Sequence, residues 1–346
     1  MKGKKSLFVL GLVLVLGAGG VSSCRSSAGL PTAKELEPYF EGILRRAGLP
    51  PEVKKEILTD TVQSEGRNLH LTIFPGPPGA PAVVFVPGTS IYALAYAEFM
   101  YKLSKRGFSV IGFDPRGHGL SEGKRGSYTI PELVLDTETV INYTREKYSK
   151  DIFLAGSSQG GIVAFYTAAA DRRLRGAICH NIADLVDPDS VRLTSNPTLS
   201  RVVKPLLGPL ARLWPDFPVP ISLYLDLSRE KTKFFGDARK FIDQDPLALK
   251  SISLKAMASL AQTPLPVPVD KIPTPIMVLH GEKDLIFPRD YVEKIYRRLP
   301  EPKKFYLAEG RPHLLLIDYV DEIIPPVEEW MREMMARPAP FANDRR

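Results

Sequence analysis

The chain has 346 residues, 44% hydrophobic and 25% charged, a globular composition with room for one large α/β domain or two smaller ones. Its formal net charge is +7, and removing Lys2, Lys4 and Lys5 with the first 23 residues leaves 43 basic against 39 acidic side chains. That mild excess, with no dense Lys/Arg run interleaved with aromatics, argues against a nucleic-acid partner, and two cysteines supply neither a disulfide framework nor a metal-ligand spacing.

The N-terminus reads as a targeting segment. Met1-Lys2-Gly3-Lys4-Lys5 is positively charged, and residues 7–16 are almost unbroken apolar sequence. That run is too short for a membrane span, which needs ~20 apolar residues. Val21-Ser22-Ser23-Cys24 follows, an aliphatic residue, two small ones and a cysteine. It resembles the lipobox of bacterial lipoproteins. The resemblance implies that 1–23 is a signal peptide cleaved before Cys24, that Cys24 carries lipid, and that the protein sits in a bacterial cell envelope. Arg25, where aspartate would favour inner-membrane retention, points to the outer membrane in a Gram-negative cell. The alternative is an ordinary secretory signal with a cysteine nearby. Cys179 is then left without an intrachain partner, in an apolar stretch that suits a buried small hydrophobe.

Residues 24–60 read as a tether followed by a helix at 34–46. Leu36, Tyr39, Phe40, Ile43 and Leu44 recur at helical spacing, and Pro38 moves the expected start towards Glu37. This helix packs on the main domain or, alternatively, faces a membrane. From 61 to 183 strand and helix alternate. Thr61-Val62-Gln63-Ser64 and Leu69 to Phe74 form a pair about a turn at 65–68. Ala82-Val83-Val84-Phe85-Val86 has the continuous apolar character of a strand buried on both faces. A helix at 92–106, a strand at 109–113, a helix at 131–148, a strand at 152–155 and a strand at 177–180 complete this part. Asp136 and Glu138 on the second helix read as solvated.

Thirteen of the 32 prolines fall between Asp184 and Pro275. The segment 184–268 is therefore expected to be an insertion of broken helices and loops rather than sheet. Leu199, Val202, Val203, Leu206, Leu207, Leu210, Leu213 and Trp214 make an apolar stripe at helical spacing. Pro205 and Pro209 are expected to kink or divide it. The α/β rhythm resumes over 269–336, and 337–346 is a loose tail. Alternation of this kind predicts a mostly parallel sheet with helices on both faces.

One pentapeptide carries the chemistry: Gly156-Ser157-Ser158-Gln159-Gly160, between a strand and a helix. A serine flanked by glycine two residues away on each side, at such a junction, is the nucleophile-elbow pattern. The spacing selects Ser158, whose bland alternative is a structural turn serine. A serine hydroxyl needs a histidine to take its proton and an acid to orient that histidine. In elbow-type hydrolases the order is serine, acid, histidine. His180 follows the serine too soon. His280 ends a strand just before Gly281-Glu282-Lys283-Asp284, and His313 follows the last strand. The candidate triad is Ser158, Asp284 and His313, with Glu282 as the alternative acid. His118 organises its own loop, and His180 and His280 are packing or pocket residues.

Four segments now point to a family: Phe85-Val86-Pro87-Gly88-Thr89-Ser90, the run Asp114-Pro115-Arg116-Gly117-His118-Gly119-Leu120-Ser121-Glu122-Gly123, the elbow, and Leu279-His280-Gly281-Glu282-Lys283-Asp284. With the His313 loop, their joint order resembles the α/β-hydrolase superfamily, in its monoacylglycerol lipase and lysophospholipase (serine aminopeptidase S33-like) branch. The resemblance implies an α/β-hydrolase fold with a helical cap over residues 184–268, and an oxyanion hole from the backbone N–H groups of Thr89 and Gln159. Many relatives have histidine-glycine where this chain has Pro87-Gly88, and glycine where it has Pro312. The resemblance further implies an ester hydrolase without cofactor or metal, acting on a single-chain lipid. A short-chain esterase, a thioesterase and a catalytically silent envelope scaffold are the alternatives.

Overall fold

The computed structural model describes residues 33–228, 230–232 and 236–338. The expected signal segment, Cys24 and the end of the expected tail lie outside the described residues. Two compact units are present, Met1–Leu36 and Glu37–Arg346, and of the first only residues 33–36 are described.

Helix α1 is Ala33–Arg46 and encloses Pro38, which forfeits one intrahelical hydrogen bond. The expected start near Glu37 is therefore corrected. Ile43 and Leu44 are buried, and the Tyr39 hydroxyl is bonded to Tyr92 and Asp245, so this part of the helix packs on the domain.

Eight strands form one sheet: β1 Leu58–Ser64, β2 Arg67–Phe74, β3 Ala82–Val86, β4 Ser109–Phe113, β5 Ile152–Ser157, β6 Gly176–His180, β7 Ile276–Gly281 and β8 Lys303–Ala308. Their spatial order is β1-β2-β4-β3-β5-β6-β7-β8. The β1–β2 hairpin is antiparallel and joins β4 antiparallel; the remaining neighbours are parallel. Glu65 and Gly66 in the hairpin turn both have positive φ, as a two-residue turn matched to strand twist requires. The inner strands β3, β4, β5, β6 and β7 are buried along their whole length, which explains their unbroken apolar sequence.

The chain leaves β3 through helix α2 (Ala97–Ser104) to β4 on one side, and leaves β5 through helix α4 (Gln159–Ala170) to β6 on the other. Right-handed crossovers running in opposite directions put these helices on opposite faces. Helix α3 (Ile130–Lys147) packs with α4, and the last helix (Val320–Ala336) with α2. The strand order thus reverses between β3 and β5. At such a switch point the C-terminal strand ends diverge and leave a crevice for a ligand.

Between β6 and β7 lies the proline-rich segment. Its longest helix, α5 (Pro197–Leu213), stays one element with Pro205 and Pro209 inside it, where division was an expected outcome. It packs on helix α6 (Leu254–Gln262). Leu207 is buried with Val219, Leu254 and Ala258, while Val203 and Leu210 lean on that cluster. Leu199, Val202, Leu206, Leu213 and Trp214 remain exposed. The stripe therefore divides between a small core of its own and solvent. No helix among the described residues is long and apolar enough to cross a membrane.

One expectation fails outright. Asp136 is fully buried, because Arg116 reaches it from the loop after β4. The guanidinium donates to both carboxylate oxygens at 2.9 and 2.7 Å, and Ser64 Oγ donates at 2.6 Å. A helical period does not reveal a partner arriving from a distant loop. Arg116→Met strands that carboxylate and is expected to cost about 3–5 kcal/mol in urea unfolding, with much of the loss recovered in Arg116→Met/Asp136→Leu.

Candidate active site

Ser158 stands between β5 and α4 with φ 56° and ψ −118°, a strained conformation for a residue with a side chain. The turn is tight enough to dictate its neighbours. A Cβ on Gly156 would lie 2.1 Å from Gly160 O, and one on Gly160 would lie 2.2 Å from Val86 O. The elbow is therefore pressed onto both its own helix and the end of β3. The Ser158 N–H donates to His180 O at 2.9 Å, tying the turn to β6. Its hydroxyl makes no hydrogen bond among the described residues, so it is bonded to neither other member of the candidate triad.

Asp284 and His313 are brought into contact. His313 Nδ1 donates to Asp284 Oδ2 at 2.8 Å, with both side chains buried. The backbone N–H groups of Ile286 and Phe287 donate to Asp284 Oδ1, each at 2.8 Å. Burial pushes the carboxyl pKa up, but the His313 charge and these donors outweigh it and hold the group well below the ordinary range. Burial pulls the His313 imidazole down, and Asp284 then raises it above its ordinary value. Glu282 is exposed and accepts from Gly310 N at 2.7 Å. With Lys283 N donating to Arg311 O at 2.9 Å, it splices the acid loop to the histidine loop. Geometry thus places Asp284, not Glu282, against the imidazole.

The backbone N–H groups of Thr89 and Gln159 flank the elbow, and neither has an acceptor among the described residues. Gln159 opens α4, so its N–H belongs to the unpaired, electropositive end of that helix.

Several contributors escape sequence reasoning. Asn181, at φ 69°, donates through Nδ2 to Asp284 Oδ2 at 2.8 Å and accepts from His280 Nδ1 at 2.5 Å. His280 and His180 are buried, and burial lowers both pKa values, so both are neutral neighbours of the pair. The His313 ring lies between His180, with centroids 4.9 Å apart, and Phe287, stacked at 5.6 Å. Glu230 arrives from the proline-rich segment, 2% exposed, with Oε2 unpartnered. Burial raises its own pKa, and its charge adds to the raising of His313. The one sequence signal for Asn181 was its place at the end of β6, where active-site side chains gather. Glu230 had none. Among the described residues, His180, Asp284 and His313 offer donor atoms within 4.8 Å of one another, close enough to consider a metal. The Asp284–His313 bond already occupies two of those atoms and accounts for their proximity.

The family described as serine aminopeptidase, S33, matches residues 78–319. The chain belongs to this family. That span contains the elbow, the acid loop and the histidine loop. A monoacylglycerol lipase structure from Paleococcus ferrophilus superposes with a TM-score of 0.62 at 25% identity, covering 77% of this chain and 99% of that one. A bifunctional esterase/perhydrolase of Acinetobacter calcoaceticus is 25% identical over 244 residues, 69% of this chain and 87% of its own. The human serine hydrolase BPHL is 23% identical over 327 residues, 93% of this chain and all of its own. The α/β-hydrolase fold expected from the sequence is the fold observed.

A base acts through its neutral form. Because the His313 pKa is raised, the rate of acylation by an activated ester is expected to fall with decreasing pH through a midpoint above 6.5. Glu230→Gln removes one raising charge and moves that midpoint to lower pH. A midpoint at or below 6.5, or one that Glu230→Gln leaves in place, contradicts these assignments.

Proposed function

We propose that the protein is a lipid-anchored carboxylic ester hydrolase that works through an acyl-enzyme on Ser158. The observation that carries this reading is the buried Asp284–His313 pair in the same site as a serine held at positive φ. In the proposed cycle Ser158 Oγ attacks the acyl carbon and His313 takes its proton. Asp284 fixes the imidazole and stabilises its charged form. The carbonyl oxygen, now negative, takes hydrogen bonds from Thr89 and Gln159 N–H, each worth ~3 kcal/mol of transition-state stabilisation. His313 passes the proton to the leaving oxygen. Water, deprotonated by the same histidine, then releases the acid and regenerates Ser158.

The proposed substrate is a single-chain lipid such as a monoacylglycerol or lysophospholipid. Two observations support it. One is the likeness to the Paleococcus lipase over most of that chain's length. The other is the exposed face of α5, where Leu199, Val202, Leu206 and Leu213 run on into Trp214 with Arg201 and Arg212 beside them. An apolar stripe flanked by cations suits the surface of a membrane that contains anionic lipid. Lipidation of Cys24, cleavage before it and residence in a bacterial envelope, most simply the outer membrane, complete the proposal and rest on the lipobox sequence alone. Glu230 favours one second reading. A buried carboxylate beside the base suits the ammonium of an aminoacyl substrate, in keeping with the family's description.

The test is hydrolysis of esters, thioesters, monoacylglycerols of increasing chain length and aminoacyl amides, beside Ser158→Ala. The variant is expected to lose roughly three to six orders of magnitude in kcat, with wild-type rates highest on long-chain glycerol esters. A rate confined to short esters, thioesters or aminoacyl amides would overturn the lipid substrate while keeping the mechanism. Equal rates in the two proteins would overturn the mechanism and favour a scaffold. Leu213→Ser/Trp214→Ser is expected to slow turnover of vesicle-borne substrate several-fold and to leave soluble short esters unaffected.

A further inference from the structure

We propose that the Gln159 side chain, held between the hydroxyls of Thr89 and Tyr128, is a positioning residue that aims the Thr89 N–H at the developing oxyanion. The proposal rests on the assignment of Ser158 as nucleophile.

An oxyanion hole needs two donors fixed relative to each other. One of them, Gln159 N–H, is rigid because it opens a helix whose residues are nearly all buried. The other lies on the loop after β3, whose backbone hydrogen bonds fall on either side of Thr89. Pro87 has no N–H. The Gly88 N–H is already used, donating to Tyr96 Oη at 3.2 Å. Ser90, on the far side, is fixed to the cap segment, where Leu249 N donates to Ser90 O at 2.8 Å and Ser90 Oγ donates to Leu249 O. Both flanks of the loop are secured, and Thr89 is the residue between them.

Thr89 is secured through its side chain. Its Oγ1 donates to Gln159 Oε1 at 2.9 Å. The same oxygen accepts from Tyr128 Oη at 3.0 Å. Both lone pairs of the carboxamide oxygen are thereby engaged. Tyr128 is fully buried, and burial pushes its pKa above the ordinary phenol value, so it remains an O–H donor. Its ring lies 5.1 Å from that of buried His118, which fixes the phenol in turn. Turning the carboxamide away would strand that buried hydroxyl, so the side chain is held between the two hydroxyls. The result is a bridge from one backbone to the other: Gln159 backbone, Gln159 side chain, Thr89 side chain, Thr89 backbone. Its two backbone N–H groups are the two proposed oxyanion donors. The residue after the nucleophile then acts twice, donating through its backbone and locating the other donor through its side chain.

The substitutions that test this leave every backbone N–H in place. Thr89→Val, Gln159→Met and Tyr128→Phe would be assayed in the full chain on an activated short-chain ester, with Thr89→Ser as the conservative rescue. Thr89→Val and Gln159→Met are expected to lower kcat roughly ten- to hundredfold with KM within about twofold, because a misaimed donor weakens the transition state and not the ground state. Thr89→Ser should return kcat to within about threefold of wild type. Affinity for a trifluoromethyl ketone, whose adduct carries the oxyanion, should fall in parallel with kcat/KM. Tyr128→Phe removes one oxygen from a packed site, keeps the ring and is expected to cost about threefold to tenfold in kcat. Wild-type kcat in Thr89→Val or in Tyr128→Phe, failure of Thr89→Ser to rescue, or a rise in KM alone would overturn the clamp. Wild-type turnover surviving in Ser158→Ala would overturn the nucleophile assignment instead, which separates the two failures.

Discussion

The backbone of Ser158 is the constraint on which the rest depends. A residue with a side chain at φ 56° is costly, and it persists only where its surroundings leave no alternative. Here the turn is closed in by backbone on several sides: the first turn of α4, the end of β3 and the His180 carbonyl at the end of β6. The strand order brings those ends together, since β3, β5 and β6 are adjacent and parallel. The half-buried serine at the switch point and the two N–H groups without an acceptor among the described residues are thus consequences of one topology.

Charge in the site is concentrated on Asp284 and its surroundings are kept neutral. Asn181, an amide, fills the position against Asp284 Oδ2 where a second acid would raise the carboxyl and a base would compete with His313. His180 and His280 are uncharged through burial. One further buried carboxylate, Glu230, is tied electrostatically to His313 and Asp284. The imidazole is oriented by one strong hydrogen bond and by two flanking rings. An elbow-type base needs that orientation more than it needs additional charge.

Much of this was legible in the sequence, for physical reasons that can be named. Largely apolar runs gave β3, β4 and β7 because strands covered on both faces are mostly apolar. The elbow was readable because only glycine fits at 156 and 160. Asp284 and His313 were readable from their order and from their positions beyond strand ends. What stayed hidden has a common character: it depends on pairs far apart in the chain. Asp136 looked solvated until Arg116 was seen to reach it. Asn181, Phe287 and Glu230 become informative only once folding has set them beside Asp284 or His313. Pro38, Pro205 and Pro209 looked like helix breakers, yet α1 and α5 run through them, because a helix held by packing on one face can lose single bonds on its exposed side.

The proposed function turns on the activation of Ser158 by His313. Its most direct test is mass spectrometry of the intact protein and its peptides after reaction with a fluorophosphonate. One covalent adduct is expected, on the peptide that contains Ser158, forming rapidly in the native protein and at least a hundredfold more slowly in His313→Ala (loss of a triad histidine can cost roughly six orders of magnitude in kcat). No adduct, an adduct at another residue, or an equal rate in His313→Ala would contradict it.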